Sequence, residues 1–162
     1  MVFIDLSTRK VQIAGIASAA NGLWMSQIGR NLTDAVDGIL KGKRYLIHDR
    51  DPLFTAEFLE LLGNTGVKSA KLPPRSPNLN AHAERFVRTI KESCLERMIL
   101  FGEDSLRTAI QNVVSHYHNE RNHQGLANRI ISPEAGHLGN AGAVRRRQRL
   151  GGALNYYYRA AA

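Results

Sequence analysis

Apolar and polar positions along this 162-residue chain follow two periods, and the change from one to the other marks out its elements. The short runs "VFID" (2–5) and "VQIAGI" (11–16), separated by the polar "LSTRK", predict two strands joined as a hairpin. Between 21 and 36 the apolar positions Leu23, Trp24, Ile28, Leu32 and Val36 recur at helical spacing, with Arg30, Thr33 and Asp34 between them. That pattern predicts an amphipathic helix stopping near Gly38. "RYLIHD" (44–49) predicts a short strand ending in charge, Thr55 is placed to cap a helix over "AEFLELLG" (56–63), and "VKSAKL" (67–72) supplies a further strand before Pro73 and Pro74. Two more helices are predicted over about 79–98 and 105–120, followed by a loop around "RNHQGL" (121–126). Short strands alternating with helices predict an α/β protein whose functional groups gather at strand ends and on neighbouring helices.

Composition narrows this picture. At 43% hydrophobic residues the chain can bury the core of one domain. It has no apolar run near the roughly 20 residues that cross a bilayer and no leader pattern, so a cytoplasmic protein without a membrane partner is expected. The single cysteine, Cys94, has no ligand-spaced partner and is expected to be a small apolar residue on a helix. The net charge of +8 calls for an anionic partner, nucleic acid being the usual one. Five arginines and no acids lie between 141 and 162, leaving +3 for the remainder. We therefore divide the chain into a core, 1–136, and a basic tail, 137–162. "RRRQR" (145–149) is either a solvated tail or an arm gripping phosphates, and "NYYYR" (155–159) either stacks on bases or docks on the domain.

Two acids stand at the ends of predicted elements. Asp49 closes the strand "RYLIHD", and Glu84 enters the helix that follows a loop rich in proline and asparagine. A strand-end aspartate with a helix glutamate can hold hard divalent cations, and Mg²⁺ so held keeps positions for water and phosphate oxygens. The alternative is that Asp49 and Asp51 shape the turn "HDRDP" while Glu84 offsets the helix dipole or pairs with Arg88. Glu84, Arg88 and Lys91 share one helix face within about 60° of arc. Phe86, Ile90 and Cys94 form a separate stripe suited to packing.

Taken together, "VFIDLSTRK", "LIHDRDPLFT", "PPRSPNLNAHAERFVRTIKE" and "YHNERNHQGL" resemble the catalytic core of the DDE integrases and transposases, in particular the insertion-sequence transposases related to retroviral integrase. The resemblance implies a ribonuclease-H-like fold with a five-stranded mixed β-sheet flanked by helices. It matches Asp49 to the second catalytic carboxylate and Glu84 to the third, at a separation within a residue of the family's usual gap. Lys91 matches a base that contacts the transposon end, and Arg88, Arg85 and Arg75 are further candidate DNA contacts. Asn122 stands where the family usually has proline, and Asp51 where many members have glycine. Asp5 falls in what resembles the turn after the second strand, so the first central strand, with the first carboxylate, is expected to be missing.

The function so implied is DNA integration or transposition by divalent-metal-dependent strand cleavage and 3′-hydroxyl strand transfer. Two Mg²⁺ or Mn²⁺ ions are implied for an intact relative, with no small-molecule cofactor. DNA, as element ends and target, is the implied partner, and a homo-oligomer on paired ends is implied as well. An inactive DNA-binding remnant and a ribonuclease-H-like nuclease are the alternatives. Among the histidines, His48 is expected to make a structural hydrogen bond, while His116 and His118, two apart on a helix, point in different directions and suit no shared metal.

Overall fold

A computed structural model describes residues 1–135 and 141–159. They form two units by contact, Met1–Asp5 with Gln12–Glu84, and Leu6–Val11 with Arg85 onward.

In the first unit, β1 (Val2–Ile4) pairs with β2 (Val11–Ile13), as the two apolar runs predict. Helix α1 (Gly22–Leu32) starts at Asn21, whose extended backbone and side chain cap it by accepting from the Trp24 amide at 2.9 Å. Its inward face is Met25, Ile28, Gly29 and Leu32. This corrects the predicted stripe. Leu23 is 80% exposed on the outer side, and Val36 is 85% exposed beyond the helix end, in a turn held by the Asp34 carboxylate accepting from the Val36 amide. Thr55 caps α2 (Ala56–Asn64) as expected, accepting from the Phe58 amide. The two helices approach closely at Gly29, where a Cβ would lie 3.1 Å from the Phe58 ring.

Helix α2 is the crossover between β3 (Tyr45–His48) and β4 (Lys68–Lys71), which run parallel with Tyr45 opposite Lys68 and His48 opposite Lys71. Phe3, Leu46 and Val67 join Met25, Ile28, Leu32, Leu40, Phe58 and Leu62 in one core. The architecture is mixed α/β. Among the described residues the strands form three separate two-stranded sheets, and the expected five-stranded sheet is not formed.

The helix expected over 79–98 is shorter. A 3-10 turn (Pro77–Asn80) leads into α3 (Ala81–Ser93), and Cys94 leaves helical geometry before a further 3-10 turn (Leu95–Arg97). Phe86, Ile90 and Cys94 are buried, as their spacing predicts. Helix α4 (Gly102–Asn119) begins with Glu103 and Asp104 in its first turn, at the positive end of its dipole.

The basic segment is folded. β5 (Val144–Arg149) and β6 (Leu154–Arg159) make an antiparallel hairpin, turned by Gly151 and Gly152 at positive φ, and β6 packs on α4. The boundary drawn at residues 136 and 137 lies outside the described residues. What fastens the hairpin is Glu120, at the C-terminal end of α4, whose side chain is 1% exposed. Arg149 clasps its carboxylate at 2.7–3.1 Å, His116 meets it at 2.8 Å, and Arg147 bridges it to Glu134. Burial alone would raise the Glu120 pKa. Hydrogen bonds from Arg149 and His116, together with the Arg149 charge, outweigh burial and lower it from 4.5 to about 2.

Two expectations follow. Phe58→Ala should cost about 3–5 kcal/mol and Leu23→Ala less than about 0.5 kcal/mol in urea unfolding. Because the Glu120 pKa is depressed on folding, its contribution is present above pH 4.5 and is lost as the pH falls towards about 2. Urea midpoints measured across that window should fall more steeply for the parent than for Glu120→Gln.

Candidate functional site

The strand end that carries Asp49 is fixed from beneath by His48. This ring is 4% exposed and sits between the Asp49 carbonyl, 2.7 Å from Nδ1, and the Ser69 hydroxyl, 2.8 Å from Nε2. A carbonyl can only accept, so Nδ1 donates to it, and Nε2 is paired with the Ser69 hydroxyl. His48 therefore ties β3 to β4, the structural role expected of it. It also lies tilted against the Phe54 ring, with centroids 4.3 Å apart, next to the core.

Above this anchor, Asp49 is exposed and its Oδ1 accepts from the Asp51 amide at 3.2 Å. The turn role open to it on sequence grounds is thus filled through one oxygen, and Asp51 in turn accepts from the Leu53 amide. Arg50 reaches across to the Leu72 carbonyl. Asp5 is engaged elsewhere, 2.5 Å from the Lys43 ammonium.

Glu84 stands in the first turn of α3 and is exposed. Among the described residues its carboxylate makes no hydrogen bond or ion pair, so the pairing with Arg88 open to it from spacing is not formed. Arg85, Arg88 and Lys91 are exposed on the same helix. Arg75, in the loop before it, is exposed and holds a left-handed backbone at φ 58°, a conformation that costs a non-glycine residue energy.

The outward face of α3 depends on its inward one. In the second unit the Phe86 ring meets Tyr117 of α4 edge-on at 4.7 Å, and Tyr117 meets His123 at 4.5 Å. His123 Nε2 lies 2.8 Å from the Tyr117 carbonyl, and Arg121 lies over the Tyr117 ring. Burial raises the Tyr117 pKa and lowers that of His118, whose Nε2 accepts from the Val11 amide at 2.9 Å. His116 and His118 thus serve different partners, Glu120 and Val11. "YHNERNHQGL" works as a packing module, and Glu120 within it was not singled out from sequence. A helix-ending acid in a chain with a run of arginines was the available signal.

The donor chemistry fits a hard cation. Mg²⁺ takes one or two carboxylates and completes its shell with water and phosphate, and Asp49 and Glu84 each keep unshared oxygens. Among the described residues no three His, Cys, Asp or Glu side chains converge as a metal-holding group. Also among the described residues, no helix is long and apolar enough to cross a membrane.

Residues 65–130, less than half of the chain, match the family model of the integrase core domain, which supports a DDE integrase or transposase catalytic core. The match supports a general function in DNA integration or transposition within a nucleotidyl-transfer enzyme family. It spans Arg75, Glu84, Arg85, Arg88 and Lys91, whereas Asp49 lies before it. No curated protein matches the chain.

With an exposed, unpaired side chain, Glu84→Gln should change the urea midpoint by less than the equivalent of about 0.5 kcal/mol. A larger loss would show that the carboxylate has a structural duty.

Proposed function

We propose that this chain is the catalytic core of a transposase, which cuts and joins DNA by divalent-metal-dependent phosphoryl transfer. The observation that carries this is Glu84, an unpaired acid on the open basic face of α3, within the segment that matches the integrase core domain. A ribonuclease-H-like fold accommodates the strand pairs. On that reading β1 and β3 are the second and fourth strands, which flank the first in such a sheet, and in this chain they belong to separate pairs sharing one core.

In this proposal Asp49 and Glu84 hold the divalent cations on which the integrase core family generally depends. A bound pair would supply activation of the attacking oxygen and charge stabilisation at the leaving one. Asp49 presents its carboxylate from a strand end that His48 and Ser69 keep in place. Glu84 presents its own from a helix whose burial does not involve it. Arg75, Arg85, Arg88 and Lys91 grip the phosphates flanking the reacting one, contacts that position DNA without reading its sequence. A homo-oligomer would bring two element ends together.

A second reading is favoured by one observation. No three-ligand group converges among the described residues, which suits a DNA-binding remnant that keeps its affinity without its chemistry. Incubating the purified chain with labelled DNA in Mg²⁺ or Mn²⁺ separates these readings. Joined product is expected from a transposase, cleaved but unjoined product from a nuclease, and binding alone from a remnant. Asp49→Asn and Glu84→Gln should each bring joining to background while leaving DNA affinity within about twofold, because the bases carry it. Joining by Asp49→Asn at the parent rate would overturn its assignment.

A further inference from the structure

We propose that the outward face of the β5–β6 hairpin is a second nucleic-acid site, for a single strand, with Tyr157 as stacking platform and Arg146 and Arg159 as phosphate contacts. This goes beyond the carboxylate site and does not rest on it, since the hairpin lies outside the segment that matches the integrase core.

Strand alternation sorts the basic segment into two faces. Arg147 and Arg149 point to α4 and are taken up by Glu120 and Glu134, while Leu154 and Tyr156 are buried and Tyr156 stacks on Tyr158 at 5.4 Å. The opposite face is left with Val144, Arg146, Gln148, Asn155, Tyr157 and Arg159. In the register of the hairpin Arg146 lies directly across from Tyr157, Gln148 from Asn155 and Val144 from Arg159. Tyr157 is 61% exposed and Arg146 is exposed. Arg159 is exposed and donates through Nη1 to the Gly142 carbonyl at 2.8 Å, which fixes its position at the strand end.

No acid occurs between 141 and 159, so the two charges the hairpin puts on this face, Arg146 and Arg159, are both positive and complement a polyanion. An arginine beside an exposed aromatic ring is the pairing that holds phosphate and base together, and stacking on the ring requires a base free of its duplex partner. Val144 is the face's single aliphatic residue, too little apolar surface to enter a lipid surface.

The test is fluorescence anisotropy of the full chain with a labelled oligothymidylate and with a duplex of equal length, in EDTA so that no strand transfer contributes. Tyr157→Ala is expected to weaken oligothymidylate binding about tenfold, within the range for loss of one stacked base, and Tyr157→Phe to restore it. Arg146→Gln is expected to weaken it and to reduce the salt slope by about 0.7, as for one phosphate contact on a single strand. Duplex affinity should respond to Arg146→Gln but not to Tyr157→Ala. Unchanged urea midpoints show that each variant is folded. Parental oligothymidylate affinity in both Tyr157→Ala and Arg146→Gln overturns the site, and so does displacement of the oligonucleotide by phosphatidylserine vesicles. Loss with Arg146→Gln but not Tyr157→Ala overturns the single-strand assignment. Because binding is read without metal, none of these outcomes depends on whether Asp49 and Glu84 are catalytic.

Discussion

The burial of one stripe on α3 is the constraint on which the candidate site depends. Phe86 and Ile90, with Cys94 just past the helix end, are withdrawn from water, with Phe86 edge-on against Tyr117. A helix has one orientation that satisfies such a stripe, and in it Glu84, Arg85, Arg88 and Lys91 face outward. The apolar stripe sets this choice, and the charged residues stay exposed to solvent.

The same division recurs in the hairpin with electrostatics in place of apolar packing. A carboxylate at a helix C-terminus meets the negative end of the dipole, and one that is 1% exposed also loses its hydration. Glu120 bears both penalties, which Arg149, Arg147 and His116 offset together. Removing these cations from one strand face leaves Arg146 and Tyr157 as the exposed pair on the other. A buried acid in α4 thus determines which arginines of "RRRQR" can meet solvent.

Much of this was legible in the sequence, and the exceptions have physical causes. The period of α3 showed in its pattern because apolar and charged residues do not mix on it. Thr55 was legible because a hydroxyl just before a helical run has one favourable use. In α1 the spacing admitted Leu23 as readily as Met25, and only the position of the core, 0% exposure at Met25 against 80% at Leu23, tells them apart. The hairpin was hidden for a different reason: arginine and tyrosine occupy both faces of its strands, so alternation leaves no mark on the pattern. What separates the faces is Glu120, 29 residues before Arg149, and pairing at that distance cannot be read from local spacing.

Asp49 and Glu84 reach the surface by unlike routes, and this bears on what each can tolerate. Asp49 belongs to a turn in which its Oδ1 holds the Asp51 amide, so part of its role is kept by any side chain with an acceptor oxygen there. Glu84 has no such second duty among the described residues. Replacing Asp49 by alanine would therefore mix a local backbone change with the loss of charge, whereas asparagine keeps the acceptor and removes only the charge. At Glu84 glutamine likewise removes the charge and keeps the side chain's length. For that reason the amide variants isolate what the carboxylates do, and the strand end and the helix face can be judged by the same standard.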